Sequence, residues 1–142
     1  MQLVDANVLL YATNSAARQH RRCRAWLEAA LAGPDAVGFS WQVLLAFLRL
    51  STKSQIFARP LTTGQALDVV EAWLAQPASI VVHPTDRHAA ALRSLLEPLG
   101  TGGNLTSDAH LAALALSHGA TLVSCDADFA RFPGLRWRNP LA

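Results

Sequence analysis

Three short apolar runs in this chain each end at an aspartate and give way to a helical spacing of apolar positions. QLVD at 2–5 precedes ANVLLYA, NLTSD at 104–108 precedes AHLAALALSHG, and ATLVSCD at 120–126 precedes ADFARF. Runs this short read as buried strands, the middle one being the weakest of the three. Apolar residues recurring three and four apart predict further helices at 16–32, 41–53, 62–75 and 86–99, and SIVVH at 79–83 predicts another strand. Gly119 is placed to stop the helix that follows residue 108. Strands alternating with helices of this length predict a parallel α/β sheet covered on both faces. GTGGN at 100–104 reads as a loop, because it lacks the glycine spacing and the preceding strand of a phosphate-binding fingerprint.

Composition narrows the class. A chain of 142 residues fits one domain, 1–142. Hydrophobic residues make up 51% and charged residues 15%, enough for a large core with apolar surface left over for a partner. The net charge of +2 does not by itself establish nucleic-acid binding, although eleven of the twelve basic residues are arginine, whose guanidinium forks suit phosphate. Cys23 and Cys125 are too few for a disulfide framework and lack metal-ligand spacing. The five histidines likewise have no ligand spacing and read as structural or surface groups, and the four tryptophans as core or interface aromatics. There is no basic head with an apolar signal segment and no apolar run of ~18 residues, so a cytoplasmic protein with no membrane partner is expected.

Each aspartate has an ordinary structural explanation. Asp5 and Asp126 fit as helix N-caps, and Asp108 fits a first helical turn, where the dipole favours an anion. Their joint placement points further. In a parallel sheet the carboxyl ends of the strands share one edge, where open α/β folds bind their ligands. Asp108 also lies three, four and seven positions before Leu111, Ala112 and Ala115, so it starts the apolar face of its helix. Two unit charges about 4 Å apart cost roughly 4 kcal/mol at an effective dielectric of 20, and a proton or a divalent cation must relieve that repulsion. Oxygen donors without histidine or cysteine suit a hard ion, Mg²⁺ or Mn²⁺, so Asp5, Asp108 and Asp126 are candidate metal ligands and catalytic residues. Asn7, Thr106, Ser107, Ser124 and Asp128 are candidates to hydrogen-bond those ligands. A basic run on helix 16–32, with Arg18 and Arg22, and Arg49 on the next helix are candidates to contact a phosphate group or a protein partner.

The motifs VDANVLLYA, GGNLTSDAHLAALALSHGATLVSCDADFARF and PGLRWRNPL together resemble the PIN-domain family, specifically its VapC-type toxins. The resemblance covers nearly the whole chain. It implies a PIN-like three-layer α/β/α sandwich with a central, mostly parallel sheet. It also implies a Mg²⁺-dependent ribonuclease that acts as the toxin of a toxin–antitoxin pair, is neutralised by a VapB-like antitoxin and forms a homodimer. Asp5, Asp108 and Asp126 match the first, third and fourth acidic residues of the family's metal site. The second is a glutamate in the family; here its nearest counterpart is Ala46, or Leu44 under a shifted alignment, and no Asp or Glu occurs between Asp35 and Asp68.

That departure leaves alternatives open. A dimer mate, Glu28 or Glu71 could supply the absent carboxylate, or the domain could bind RNA or antitoxin without cleaving. A phosphotransfer or receiver-like domain would want a lysine after a strand, and Lys53 does not follow one.

Overall fold

The computed structural model describes residues 1–142. Along the chain run β1 (Gln2–Val4), α1 (Ala6–Thr13), α2 (His20–Ala32), β2 (Val37–Phe39), α3 (Trp41–Ser51) and α4 (Thr63–Leu74). They are followed by β3 (Ser79–Val81), α5 (His88–Leu96), α6 (Leu105–Ser117), β4 (Thr121–Val123) and β5 (Trp137–Arg138). Two 3₁₀ helices, Glu97–Leu99 and Ala127–Arg131, complete the set. The strands form one sheet in the order β3-β2-β1-β4-β5, and every pairing is parallel.

The topology explains the layers. The chain steps outward from β1 to β3, then returns past β1 to β4. Right-handed crossovers in opposite directions put α1 to α4 on one face and α5 and α6 on the other. The packing agrees: α1 meets α2 and α3, α3 meets α4, and α5 meets α6. This is the three-layer sandwich expected, with a fully parallel sheet.

Burial on both faces accounts for the unbroken apolar strands. Leu3, Val4, Leu122 and Val123 are wholly buried. β2 carries Gly38 because the sheet is crowded there: a Cβ would lie 2.7 Å from Val82 Cγ2 and 3.3 Å from Leu3 Cδ1. That glycine interrupts the apolar run and hides the strand from a periodicity reading. Gly119, at φ +62°, ends α6 as expected.

Strand register sets the functional edge. Val4 lies opposite Val123, and the Asp5 amide continues the ladder by donating to the Val123 carbonyl at 2.9 Å. Asp5, Ser40 and Ser124, the residues that follow β1, β2 and β4, therefore leave the sheet at the same edge.

Several expectations need correction. NLTSD is not a strand: α6 begins at Leu105, with Leu105 N donating to Gly102 O at 2.8 Å, so Asp108 enters from a helix. A single leucine among Asn, Thr, Ser and Asp favours a helix start over a buried strand. The helix expected at 16–32 begins at His20, and that expected at 86–99 spans His88–Leu96 before the 3₁₀ turn containing Pro98. β2 and β5 lie outside the elements that the apolar pattern predicts. No helix is long and apolar enough to cross a membrane.

Candidate metal centre

Asp5 sits at the tip of β1 as the N-cap of α1, where its Oδ1 accepts from Ala6 N at 2.7 Å. Its Oδ2 accepts from the Ser124 hydroxyl at 2.7 Å and from Asn7 Nδ2 at 3.3 Å. Asn7 also donates to Ser124 Oγ at 3.1 Å, and its Oδ1 accepts from Cys125 N at 3.1 Å. Ser124 Oγ in turn accepts from Asp126 N at 3.0 Å. One network thus locks the ends of β1 and β4 together. Capping is real at Asp5, and the same groups orient its carboxylate.

Asp126 caps the following 3₁₀ helix, its Oδ1 accepting from Asp128 N at 2.9 Å. Across from it, the first turn of α6 brings in Asp108. Carboxylate oxygens of Asp108, Asp126 and Asp128 all lie within 4.8 Å of one another. Asp128 is therefore a member of the carboxylate cluster; from the sequence it was only a candidate hydrogen-bonding neighbour. One ion pair reaches the group, Arg131 Nη2 to Asp128 Oδ1 at 3.7 Å, and it is solvent-exposed, where such pairs contribute little.

The cluster perturbs its own protonation. Burial, and then the charges of Asp126, Asp5 and Asp128, push the Asp108 carboxyl up to about 6. Burial also raises Asp5, opposed by its hydrogen bonds from Ser124 and Ala6 and reinforced by Asp126. Proton uptake is thus the relief the protein finds by itself, and a cation at the same place would displace those protons.

Asp5 and Asp108 share a cleft of about 370 Å³ with Ala6, Ser107 and Leu111, walled on its other side by α3. The α3 wall presents Gln42, Ala46 and Arg49, spaced i, i+4 and i+7 on one helix face. Ala46 therefore lines the cleft without supplying a carboxylate. Gln42 escaped the sequence reading, although its spacing from Ala46 would have found it. Ser40, at the tip of β2, caps α3 by accepting from Val43 N at 3.2 Å.

Other candidates fall elsewhere. The exposed Thr106 stands over Gly102, whose added Cβ would lie 2.6 Å from its hydroxyl oxygen. Arg18 precedes α2, and Arg22 donates to the Leu141 carbonyl; neither lines the cleft. Glu28 pairs with Arg24 at 2.7 Å and Glu71 is exposed on α4, so neither replaces the missing carboxylate within this chain. Two of the five histidines meet despite their sequence spacing: His88 Nε2 lies 2.8 Å from His110 Nδ1, joining α5 to α6. Cys23 and Cys125 are free thiols 3.8 Å apart, packing α2 against the loop after β4. Trp137 donates to the Ser124 carbonyl at 2.9 Å, bracing the site strand, while Trp41 is exposed.

The family model described as PIN domain matches residues 3–135. Ribonuclease VapC37 of Mycobacterium tuberculosis is 53% identical over 142 residues, spanning 100% of this chain and 99% of that protein. Ribonuclease VapC33 of the same species is 39% identical over 141 residues, with 99% of each covered. The solved structure of VapBC2 from Rickettsia felis, bound to a DNA fragment from their promoter, superposes with a TM-score of 0.72. It is 22% identical and 97% of each chain is covered, a likeness of fold.

Proposed function

The chain belongs to the PIN-domain family, on its VapC ribonuclease branch, and on that premise we propose that it is a metal-dependent endoribonuclease, the toxin of a VapBC-type pair. The observation that carries the site is the convergence of Asp108, Asp126 and Asp128 within 4.8 Å, with Asp5 in the same cleft as Asp108. The donors are all carboxylate oxygens, a set that fits a hard divalent cation; Mg²⁺ is our assignment, with Mn²⁺ as its substitute. When bound, such an ion supplies positive charge against the phosphate and acidifies the attacking water.

The chain's own residues do the rest. Asp5, Asp108 and Asp126 hold the ion, with Asp128 alongside. Ser124 and Asn7 fix the Asp5 carboxylate, whose orientation would otherwise cost entropy at each binding event. Ser107 and Gln42 line the cleft as neutral polar groups. Arg49 meets RNA there, and Arg18 and Arg22 serve flanking RNA or the antitoxin. The ribonuclease name of a relative 53% identical weighs against a non-catalytic relic.

The partner of this toxin is a VapB-like antitoxin that covers the acidic cleft. Leu45, 59% exposed at the cleft wall, and Trp41, 45% exposed one turn earlier, offer apolar surface for a second chain. A homodimer and a cytoplasmic location complete the proposal. The test is incubation of antitoxin-free protein with total RNA while Mg²⁺ and Mn²⁺ are titrated. Discrete products that vanish with a chelator support the reading; intact RNA at every metal concentration refutes it.

A further inference from the structure

We propose that Arg49 is the phosphate-binding arm of the cleft and that Ala46 is what leaves it free to act. The inference rests on the ribonuclease reading and names how that site takes hold of the RNA backbone.

A cleft walled by aspartates repels the phosphodiester it has to cleave. The only cationic side chain among its lining residues is Arg49, on the α3 wall. Its guanidinium is unclaimed: the ion pairs of this protein are Arg24–Glu28, Arg93–Glu97 and Arg131–Asp128, and Arg49 donates no side-chain hydrogen bond. It lies in the last turn of α3, where the helix dipole favours a cation and holds it without neutralising it. A planar fork of donors facing an open cleft suits the paired non-bridging oxygens of a phosphate.

Ala46 bears on this directly. It stands three residues before Arg49 on the same helix face, the spacing at which a glutamate pairs with an arginine. A carboxylate at 46 would neutralise the guanidinium and add a further negative charge to the cleft. With alanine there, the α3 wall is neutral at Gln42 and Ala46 and positive at Arg49. The acidic wall holds the cation and the α3 wall receives the anion.

The experiment measures binding separately from cleavage. A fluorescent oligoribonucleotide of mixed sequence is titrated with native protein, Arg49→Gln, Arg49→Lys, Ala46→Glu and the Ala46→Glu/Arg49→Gln double variant. Anisotropy is followed across a salt series in Ca²⁺, with cleavage in Mg²⁺ and Mg²⁺ affinity by calorimetry run in parallel. Arg49→Gln is expected to weaken RNA binding about tenfold and to lower the salt slope by about one ion, leaving Mg²⁺ affinity unchanged. Arg49→Lys keeps the slope but recovers only part of the affinity. Ala46→Glu weakens binding in the native background and has little further effect once Arg49 is gone. If native protein binds and cleaves RNA and Arg49→Gln matches it in affinity and slope, the inference is overturned and the ribonuclease reading stands. Loss of antitoxin binding alone in Arg49→Gln would likewise overturn it, assigning the guanidinium to the inhibitor. Native protein that neither binds nor cleaves RNA would defeat the functional reading itself.

Discussion

The hydroxyl of Ser124 donates to Asp5 Oδ2 at 2.7 Å, tying together two strand ends separated by 119 residues of chain. Ser124 is wholly buried, and the same oxygen accepts from Asn7 and from the Asp126 amide. Ser124→Ala should therefore act on two levels. It leaves the Asp126 amide without its acceptor and Asp5 Oδ2 without its shortest donor, while Asn7 keeps its bond to Asp5, at a stability cost of roughly 1–3 kcal/mol. It also frees the Asp5 carboxylate to rotate, which should weaken divalent-metal affinity roughly 10–100-fold. Denaturant unfolding and calorimetric metal titration measure the two effects; a destabilised variant with unchanged metal affinity would limit Ser124 to a structural role.

Asp108 makes stability depend on pH in a defined direction. Its carboxyl titrates at about 6 in the folded chain against an ordinary 3.8, so between those values the folded state holds more protons than the unfolded one. Stability of metal-free protein should fall as pH rises through that window, be fully reduced above it, and show no contribution below it. Asp108→Asn removes the penalty. In chelator, its melting temperature should rise above that of the native chain progressively from pH 4 to pH 7. Saturating Mn²⁺ should reverse that order, and native metal affinity should decline as pH drops below about 6. A melting-temperature difference that does not change with pH would contradict the assigned protonation.

Much of this arrangement was legible in the chain and some of it was not, for physical reasons. QLVD and TLVSCD declared themselves because strands buried on both faces are continuously apolar, and a charge at their end has to face an edge. The inward direction of Asp108 was readable from its spacing to Leu111 and Ala115, even though the element carrying it was partly mistaken for a strand. β2 was hidden by Gly38, whose presence answers to Val82 and Leu3, residues remote in sequence. The place of Asp128 in the cluster depends on how the 3₁₀ helix turns toward α6, and no local pattern encodes that. Nor does the spacing of His88 and His110 announce a contact made only when α5 and α6 pack.

Gly38 separates fold from chemistry. Gly38→Ala places a methyl 2.7 Å from Val82 Cγ2 on β2, between β1 and β3, which should destabilise the protein by roughly 1–3 kcal/mol. It touches none of the aspartates, so RNA cleavage per folded molecule should remain near native. Thermal melting and cleavage at low temperature test the pair of expectations together. A folded Gly38→Ala protein that had lost activity would mean that the strand ends are placed more delicately than the hydrogen-bond network indicates.

The most direct test of the central claim is cleavage of RNA by native protein and by Asp5→Asn, side by side across a Mg²⁺ titration. Asparagine still accepts from Ala6 N through its single carbonyl oxygen, so the cap is retained, while one negative charge and the acceptor for Ser124 leave the site; thermal melting run beside the assay shows that the variant is folded. The account predicts discrete metal-dependent products from the native chain and their loss, with weakened metal binding, in Asp5→Asn. Equal cleavage by a folded Asp5→Asn protein at every Mg²⁺ concentration would contradict it.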